Sequence, residues 1–374
     1  MPANRSEVGR DKEAYFLNVL HGAPGVIPSL LRTILTPLSW LYELGLELYL
    51  LQYKLGLRKR YKLPKLVISV GNLTTGGTGK TPFTVALCKI LQSEGRSPAV
   101  LSRGYKGEHE RGCAVVSDGD RFLLNAAEAG DEAFMLASLL REIPIVVGKD
   151  RRQSGKMALA QFDPDLIVMD DGMQYWQLHR DMDIVLLDAS KPFDNGFLLP
   201  RGLLREPARH LRRAHIIIIT RIAPISQMDR EKLLGKLRDI APGKPIFTAD
   251  LVPYGIREIF SSEVLPPSWL KGRRVSAYSG IGNPESFENM LGELGAVNAH
   301  QYRLPDHAKA SEEEFVQFVN EAKQANAELI ITTEKDAVKM TSPAALPIYT
   351  LQVKMQMDFP DAFLRALKEG LNRS

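Results

Sequence analysis

A glycine-rich stretch between residues 71 and 82 has the composition and spacing of a loop that binds phosphate groups. Its core, Gly-Gly-Thr-Gly-Lys-Thr at 76–81, follows a short β-branched segment and precedes a helical pattern, which is the context that the P-loop motif requires. Backbone N–H groups of such a loop surround phosphate oxygens, Lys80 reaches the terminal phosphates, and the hydroxyl of Thr81 is suited to Mg²⁺. Thr74 replaces the first glycine of the usual motif. We therefore predict that nucleotide phosphates bind to Thr74, Thr75, Gly76, Gly77, Thr78, Gly79, Lys80 and Thr81.

Two neighbouring carboxylates at the end of a later apolar segment are candidate metal ligands. The segment Leu166–Met169 leads directly into Asp170 and Asp171. Ligands of open parallel sheets bind where the carboxyl ends of the strands meet, so we expect this pair beside the phosphate loop. Carboxylate oxygens are ligands that Mg²⁺ prefers. We interpret Asp170 and Asp171, together with Thr81, as Mg²⁺ ligands rather than as an acidic turn.

Alternating strand and helix patterns place these motifs in an α/β fold. Apolar segments recur at Lys65–Gly71, Ala99–Leu101, Ile143–Val147, Leu166–Met169, Ile184–Leu187 and Ile216–Thr220, and helical patterns such as Lys80–Glu94, Asp131–Arg141 and Arg151–Gln161 separate them. This alternation predicts a parallel sheet of the P-loop NTPase type with helices on both faces. A second, shorter series of strand and helix patterns begins at Val275 and predicts a smaller α/β domain.

The length of the chain indicates more than one domain. Its 374 residues exceed the roughly 250–300 residues that one hydrophobic core supports. We expect an N-terminal apolar helical segment at 1–62, a P-loop core domain at 63–248, a linker rich in proline and glycine at 249–272, and a smaller α/β domain at 273–374.

The N-terminal region is strongly apolar but interrupted by charges. Residues 34–57 are rich in Leu, Trp and Tyr, yet Glu43, Glu47 and Lys54 appear before the ~18 uncharged residues that a spanning helix needs. At helical spacing, these charged residues lie on one narrow stripe of the predicted helix. A basic cluster follows, at Arg58, Lys59, Arg60, Lys62 and Lys65. Two interpretations stay open: the helix lies on an anionic membrane surface, or it packs on its own domain and the basic cluster is a solvated linker.

Overall composition narrows the class of protein. Hydrophobic residues make up 44% and charged residues 25%, as in globular proteins, and a net charge of +4 is too small to indicate nucleic acid as a partner. The N-terminus lacks the pattern of a secretory signal. We interpret the two cysteines, Cys88 and Cys113, as buried thiols of a protein in the cytosol.

Two classes of P-loop protein other than kinases were considered. A GTPase needs an Asn/Thr-Lys-x-Asp motif after a late strand, but Ile216–Thr220 continues as Arg221-Ile222-Ala223, which gives no support for guanine specificity. ATPase switches of the partitioning type have an additional lysine directly before the paired glycines, where this chain has Thr75. That difference disfavours a switch or binding module without a lipid acceptor, which stays as the alternative.

Beyond the loop, the chain resembles the tetraacyldisaccharide 4′-kinase family over nearly its whole length. The resemblance rests on short motifs in the same order and at similar spacing. They are Val70-Gly71-Asn72, Ser102-Arg103-Gly104-Tyr105, Gly130-Asp131-Glu132, Val147-Gly148-Lys149-Asp150-Arg151, Asp170-Asp171-Gly172-Met173-Gln174, Arg180-Asp181, Leu198-Leu199-Pro200-Arg201-Gly202, Leu204-Arg205-Glu206-Pro207, Pro305-Asp306-His307 and Thr333-Glu334-Lys335-Asp336. The chain differs from the family pattern at Ala133, Tyr175 and Ala308.

The resemblance implies a specific reaction and place. A member of this family transfers the γ-phosphate of ATP, with Mg²⁺, to the 4′-hydroxyl of a tetraacyl disaccharide 1-phosphate, which gives lipid IVA in lipopolysaccharide synthesis. Such a protein lies peripherally on the cytoplasmic face of the inner membrane of a Gram-negative bacterium. Its partners are the glycolipid and the membrane surface, with neither nucleic acid nor a required protein partner.

Candidate catalytic and substrate-binding residues follow from the chemistry and from the resemblance. The acceptor hydroxyl must lose a proton, so a carboxylate or imidazole is expected near it. Asp131 begins a helical pattern, where catalysis and a helix cap are equally consistent with the sequence, and the resemblance favours its pairing with His307 on domain closure. We expect paired hydrogen bonds to phosphate groups from Arg103, Arg151, Arg201 and Arg205, and substrate contact from Gln174.

Overall fold

A computed structural model describes residues 15–261, 263–305, 308, 310–340 and 343–372. The strands are β1 Leu66–Asn72, β2 Pro98–Ser102, β3 Cys113–Ser117, β4 Ile145–Gly148, β5 Leu166–Asp170, β6 Met182–Asp188, β7 Ile216–Thr220, β8 Ile246–Glu258, β9 Val264–Leu265, β10 Arg274–Ser279, β11 Val297–Arg303, β12 Leu329–Thr333 and β13 Ile348–Met357. The helices are α1 Val26–Lys54, α2 Lys80–Ser93, α3 Ala126–Ala129, α4 Asp131–Leu139, α5 Arg151–Phe162, α6 Gln227–Ile240, α7 Pro284–Glu293, α8 Glu312–Gln324, α9 Glu334–Ala337 and α10 Pro360–Asn372.

The described residues form two compact units that are each built from separated parts of the chain. The first unit comprises residues 15–80, 169–250 and 357–372, and the second comprises 81–168 and 251–356. The domain boundaries suggested by the sequence stay a prediction.

In the first unit, a parallel sheet carries the phosphate loop. Strand β1 pairs with β6, β6 with β7, and β7 with the first residues of β8, all in parallel. The apolar run Ile216–Thr220 is buried throughout, as expected for a strand covered on both faces. Its side chains pack with those of α6 and of the segment after β6 in one hydrophobic core. The predicted α/β class with a parallel sheet of the P-loop type is confirmed.

The second unit contains two further sets of parallel strands and two antiparallel additions. Strand β2 pairs with β4, and β11, β10, β12 and β13 pair in that order, all in parallel. Strand β3 joins β4 in the antiparallel sense, and β9 joins β8 likewise. The sequence did not predict these additions, because both strands are short and have no long apolar run. Cys88 is buried as predicted, whereas Cys113 at the start of β3 is partly exposed, so the prediction for Cys113 was wrong.

Much of the stretch 249–272 is regular structure. It contains the second part of β8, the short strand β9 and a 3₁₀ turn at Pro267–Leu270. Its prolines lie at positions that suit such elements, since Pro266 and Pro267 begin the 3₁₀ turn. The proline and glycine content therefore marks turns between short elements in this stretch.

Helix α1 packs on the first unit through its polar side. Glu43 and Glu47 accept hydrogen bonds from Arg209 at 2.6 and 2.7 Å, and the hydroxyl of Ser39 donates to the carbonyl of Leu198 at 2.9 Å. The other side exposes apolar side chains, namely Val26, Ile27, Leu30, Ile34, Trp40, Leu41, Leu44, Leu48 and Leu51. No described helix has the length and apolar character that crossing a membrane requires.

Candidate active site

The phosphate loop connects the end of β1 to the start of α2, as the motif predicts. Gly76 and Gly79 have φ values of 110° and 84°, which favour glycine. The Thr75 N–H donates to the carbonyl of Leu203 at 2.7 Å, and a threonine hydroxyl of β7 donates to the carbonyl of Thr78 at 3.0 Å. A Cβ atom added at Gly76 would meet no atom within 4 Å, so the loop borders open space. The loop is held at both ends and can accept phosphate oxygens at its open face.

Two glycines allow the Asp170-Asp171-Gly172 turn to pack against β1. A Cβ at Gly71, on β1, would lie 2.4 Å from the Cβ of Met173. A Cβ at Gly172 would lie 2.8 Å from the hydroxyl of Ser69 on β1. The Gly172 N–H donates to the carbonyl of Val70 at 3.0 Å, and Asp171 has φ 54°. The expected position of the carboxylates beside the phosphate loop is confirmed for Asp171, because its carboxylate contacts the loop lysine.

Asp171 lies between two cations. The Lys80 ammonium is 3.6 Å from Asp171 Oδ1, and Arg205 donates to both carboxylate oxygens at 3.0 and 2.9 Å. This bidentate pair fixes the plane of the guanidinium as well as its position. Lys80 and Arg205 thus bring two positive charges to the carboxyl end of β1, where the charge of a phosphoryl group can be offset.

Asn72, the last residue of β1, joins these groups, although no separate role for it was predicted from the sequence. Its side-chain oxygen accepts from Lys80 Nζ at 3.2 Å and also from Arg205, while its side-chain N–H₂ donates to the Thr78 hydroxyl at 2.9 Å. Gln174 Nε2 donates to the Asn72 carbonyl at 3.0 Å. The only signal in the sequence was its position directly before the loop.

Buried polar atoms beside this cluster fit the presence of a bound ligand. Gln174 Oε1 and Arg205 Nε are buried and have no hydrogen-bond partner within the part of the chain that the structure describes. Buried polar groups usually have partners, which a substrate or water molecule can supply. Asp170 is buried at the end of β5, and Thr81 lies in the first turn of α2; binding of Mg²⁺ by these residues and Asp171 stays a prediction. Among the described residues no group of three or more His, Cys, Asp or Glu side chains forms a metal site, but Mg²⁺ usually takes only one or two carboxylates and completes its shell with phosphates and water.

In the second unit, Asp131 is not a helix cap. The N-cap position of α4 is Gly130, with no side-chain cap, and Asp131 is the first residue of the helix. Its Oδ2 lies 3.3 Å from Lys339 Nζ, so the carboxylate is paired with a lysine rather than with backbone N–H groups of its own helix. The cap interpretation was therefore wrong. His307, its predicted partner, lies outside the described residues.

The remaining predicted arginines have separate surroundings. Arg103 donates to Glu110 at 2.8 Å, and Arg151, which is almost completely buried, donates to the carbonyl of Gly148 at 2.5 Å. Arg201 donates to the Leu20 carbonyl at 3.0 Å and lies over an aromatic ring at 4.5 Å. Their predicted contacts with substrate stay predictions.

A buried carboxylate that the sequence analysis missed stabilises the segment around Arg205. Glu206 has no exposed side-chain surface and accepts hydrogen bonds from Arg213 and, at 2.7 Å, from His210. Burial alone raises the pKa of Glu206, but the hydrogen bonds from His210 and Arg213 outweigh it and lower the pKa to about 2. His210 also contacts Glu47 of α1 at 2.9 Å, so this network links α1 to the Arg205 segment.

Comparison with known proteins assigns the family. The family model described as tetraacyldisaccharide-1-P 4′-kinase (LpxK) matches residues 31–372. The chain belongs to this family. It is 40% identical over 349 residues to a tetraacyldisaccharide 4′-kinase of Geobacter sulfurreducens, with 93% of this chain and 96% of that protein covered. It is 37% identical over 340 residues to one of Halothermothrix orenii, with 88% of each covered.

A solved structure agrees with this assignment. The LpxK of Aquifex aeolicus, crystallised in complex with ATP, matches with a TM-score of 0.73 and 31% identity over 91% of this chain and 99% of that one. Membership in the LpxK family supports the kinase interpretation from the sequence and not the alternative of a partitioning-type ATPase switch.

Proposed function

We propose that this chain transfers the γ-phosphate of ATP to the 4′-hydroxyl of a tetraacyl disaccharide 1-phosphate and so forms lipid IVA. The observation that supports this most directly is the convergence of Lys80 and Arg205 on Asp171 beside a phosphate loop, in a chain of the LpxK family. Phosphoryl transfer depends mainly on positioning and on charge stabilisation, which such a cluster provides.

The donor side of the reaction uses the phosphate loop and the residues next to it. Backbone N–H groups of the loop and the Lys80 ammonium bind the phosphates, and Asn72 orients Lys80 through the contact at 3.2 Å. Arg205 contributes a second, permanently charged group. Asp170, Asp171 and the Thr81 hydroxyl would hold Mg²⁺, which would offset the negative charge of the phosphates.

The acceptor side uses Asp131. Its carboxylate is 23% exposed at the start of α4, so it can meet a substrate hydroxyl while it stays fixed by Lys339. In this role it accepts the proton that the 4′-hydroxyl loses as the new phosphate ester bond forms. His307 acts together with Asp131, and this pair forms when both substrates are bound. Arg103, Arg151, Arg201 and Gln174 contact the phosphates of the two substrates.

The protein binds peripherally to the cytoplasmic face of the inner membrane through α1. The helix uses its charged stripe against the protein, and its Tyr42 hydroxyl donates to the carbonyl of Arg205 at 3.0 Å. The apolar side, with Trp40 and Leu41 more than 60% exposed, is then available to the acyl region. A membrane surface at α1 places a glycolipid headgroup close to the segment that contains Arg205.

The reaction is tested by incubating the purified protein with γ-labelled ATP, Mg²⁺ and a tetraacyl disaccharide 1-phosphate in detergent. We expect a labelled lipid, and we expect Lys80→Ala to reduce its formation by at least about 10²-fold while the protein stays folded. Label found only as free phosphate, or on a soluble sugar or a protein, contradicts the proposal. Wild-type turnover by Lys80→Ala contradicts the role of the loop.

Membrane attachment is tested by flotation with vesicles that contain anionic phospholipid. A variant with Leu44, Leu48 and Leu51 changed to Ser is expected to lose flotation because it removes the centre of the apolar face. The matched control changes three exposed apolar residues outside α1, namely Val297, Val316 and Phe359, to Ser. Equal flotation of the α1 variant and the wild type rules out α1 as the anchor.

A further inference from the structure

The ammonium group of Lys339 is buried and shared among three oxygen acceptors in the second unit. It lies 3.3 Å from Asp131 Oδ2, 3.2 Å from Asp336 Oδ1 and 3.3 Å from the carbonyl oxygen of Ala308. Only 9% of the side chain is exposed. The ammonium donates hydrogen bonds to Asp336 and to the carbonyl of Ala308, and it forms an ion pair with Asp131. A long, flexible side chain is thereby held in one position.

Asp336 fixes this position from the side opposite Asp131. It is fully buried and accepts from the N–H of Gly280 at 2.8 Å and from the hydroxyl of Thr333 at 2.7 Å. The same hydroxyl accepts from the Asp336 N–H and caps α9. Because β12 positions Thr333 and β10 leads into Gly280, the carboxylate that orients Lys339 is held by two neighbouring strands of one sheet.

We propose that Lys339 is a positioning residue for the proton acceptor Asp131. The inference rests on the proposed function, in which Asp131 takes the proton of the acceptor hydroxyl. Lys339 holds the Asp131 carboxylate in one orientation through the ion pair at 3.3 Å. It also donates to Ala308, the residue that follows His307 in the sequence. One side chain therefore connects Asp131 with the chain next to its predicted partner.

The charged groups around Asp131 explain why Lys339 has this effect. On α4 itself, Glu132 pairs with Lys335 at 3.9 Å, and on α3 Glu128 accepts from a backbone N–H of its own capping box. Strands β3 and β4, which also pack on α4, contribute no charged side chain. Asp336 is a second carboxylate on the same lysine, so loss of the Lys339 charge leaves two carboxylates without the cation between them. Without a cation between them, two neighbouring carboxylates disfavour each other's ionised forms.

The test compares Lys339→Gln, which keeps hydrogen bonding but removes the charge, with Lys339→Arg, which keeps the charge. For Lys339→Gln we expect kcat/KM for the lipid at pH 7 to fall roughly 10- to 100-fold and the acid limb of its pH profile to move up by about one unit or more. The KM for ATP should not change. Lys339→Arg should bring the acid limb back toward that of the wild type.

Lys323→Met is the matched control, since Lys323 is an exposed lysine near the end of α8 in the same unit. It should leave the pH profile and activity unchanged. Full activity of Lys339→Gln overturns the inference, and so does an equal loss at every pH with an unmoved acid limb. Asp336→Asn gives a second measurement if Lys339→Gln does not fold. It should reduce kcat without changing the KM for ATP, and an unchanged kcat overturns the inference.

The wild-type protein alone tests the proposed function, so failure of that function can be distinguished from failure of the inference about Lys339. A wild type that does not label the lipid contradicts the proposed function, and the inference is overturned with it. A wild type that labels the lipid, with a variant whose acid limb stays in place, contradicts only the role of Lys339.

Discussion

Glu206 in the first unit and Glu334 in the second are both buried, yet their surroundings move their pKa values in opposite directions. Burial raises both. For Glu206, hydrogen bonds from His210 and Arg213 reverse that effect and lower the pKa to about 2. For Glu334, burial dominates over one backbone N–H at 3.4 Å and the charges of nearby cations, and the pKa rises to about 7. Depth of burial alone therefore does not predict the charge of a carboxylate, whereas the donors within hydrogen-bonding distance do.

The difference matters for the candidate functional residues of each unit. The Glu206 network directly follows Arg205 and contains Arg213, a donor that stays charged, so it can fix a phosphate-binding segment firmly. Glu334 lies on α9, beside the residues that orient Lys339. One of its oxygens, Oε1, has no hydrogen-bond partner in the described portion of the chain. The charge of the Glu334 carboxyl group thus changes near neutral pH, whereas that of the Glu206 carboxyl group does not.

The largest expected effect is on stability, for Glu206→Gln. The change leaves the partly buried Arg213 and His210 without the charge of the fully buried carboxylate, and loss of one partner of a buried ion pair typically costs about 3–5 kcal/mol. Denaturant unfolding at pH 7 measures it. The folded pKa, about 2, is below the ordinary 4.5, so the stabilisation is present above pH 4.5 and is lost as pH falls toward 2.

The wild type and Glu206→Gln should therefore become closer in stability as the pH is lowered through this range. A cost below about 1 kcal/mol at pH 7 contradicts the network as a stabilising feature, because that value is typical of exposed ion pairs.

The sequence predicted the local features of the site better than its pairings. Strand β7 begins and ends at the predicted residues, and the loop around Lys80 was recognisable because glycine spacing is a local signal. The pairing of Asp171 with Arg205 depends instead on the close approach of β1 to the turn that follows β5. Gly71 and Gly172 allow this approach because neither has a side chain. Contact between Lys339 and Asp131 joins segments that are distant in the sequence, and no spacing rule indicates it.

A smaller effect, of the opposite sign, is expected for Glu334→Gln. The folded pKa of Glu334, about 7, is above the ordinary 4.5, so its contribution to stability is present below pH 4.5 and is lost as pH rises through 7. The difference corresponds to at most about 3 kcal/mol. The variant, which cannot ionise, should be more stable than the wild type at pH 8–9 and similar to it at pH 5.

Thermal or denaturant unfolding of both proteins between pH 5 and 9 provides the measurement. A stability difference that does not change with pH contradicts the raised pKa of Glu334 and, with it, the contrast between the two glutamates.

The smallest effect is expected for Arg209→Gln, on the same 3₁₀ helix as Arg213. Arg209 binds Glu43 and Glu47 of α1, but its side chain is 51% exposed, so solvent already screens the pairs. Exposed pairs contribute about 0.2–1 kcal/mol, and the loss should shrink further as salt is added. Unfolding of Arg209→Gln at low and high salt, beside Arg213→Gln, tests this.

Glu47 contacts both Arg209 and His210, so the surface pair and the buried network share a residue. If Arg209→Gln and Arg213→Gln lose equal unfolding free energy at high salt, the contacts of α1 and the Glu206 network stabilise the fold cooperatively. The difference in burial between Arg209 and Arg213 would then not determine how much each contributes.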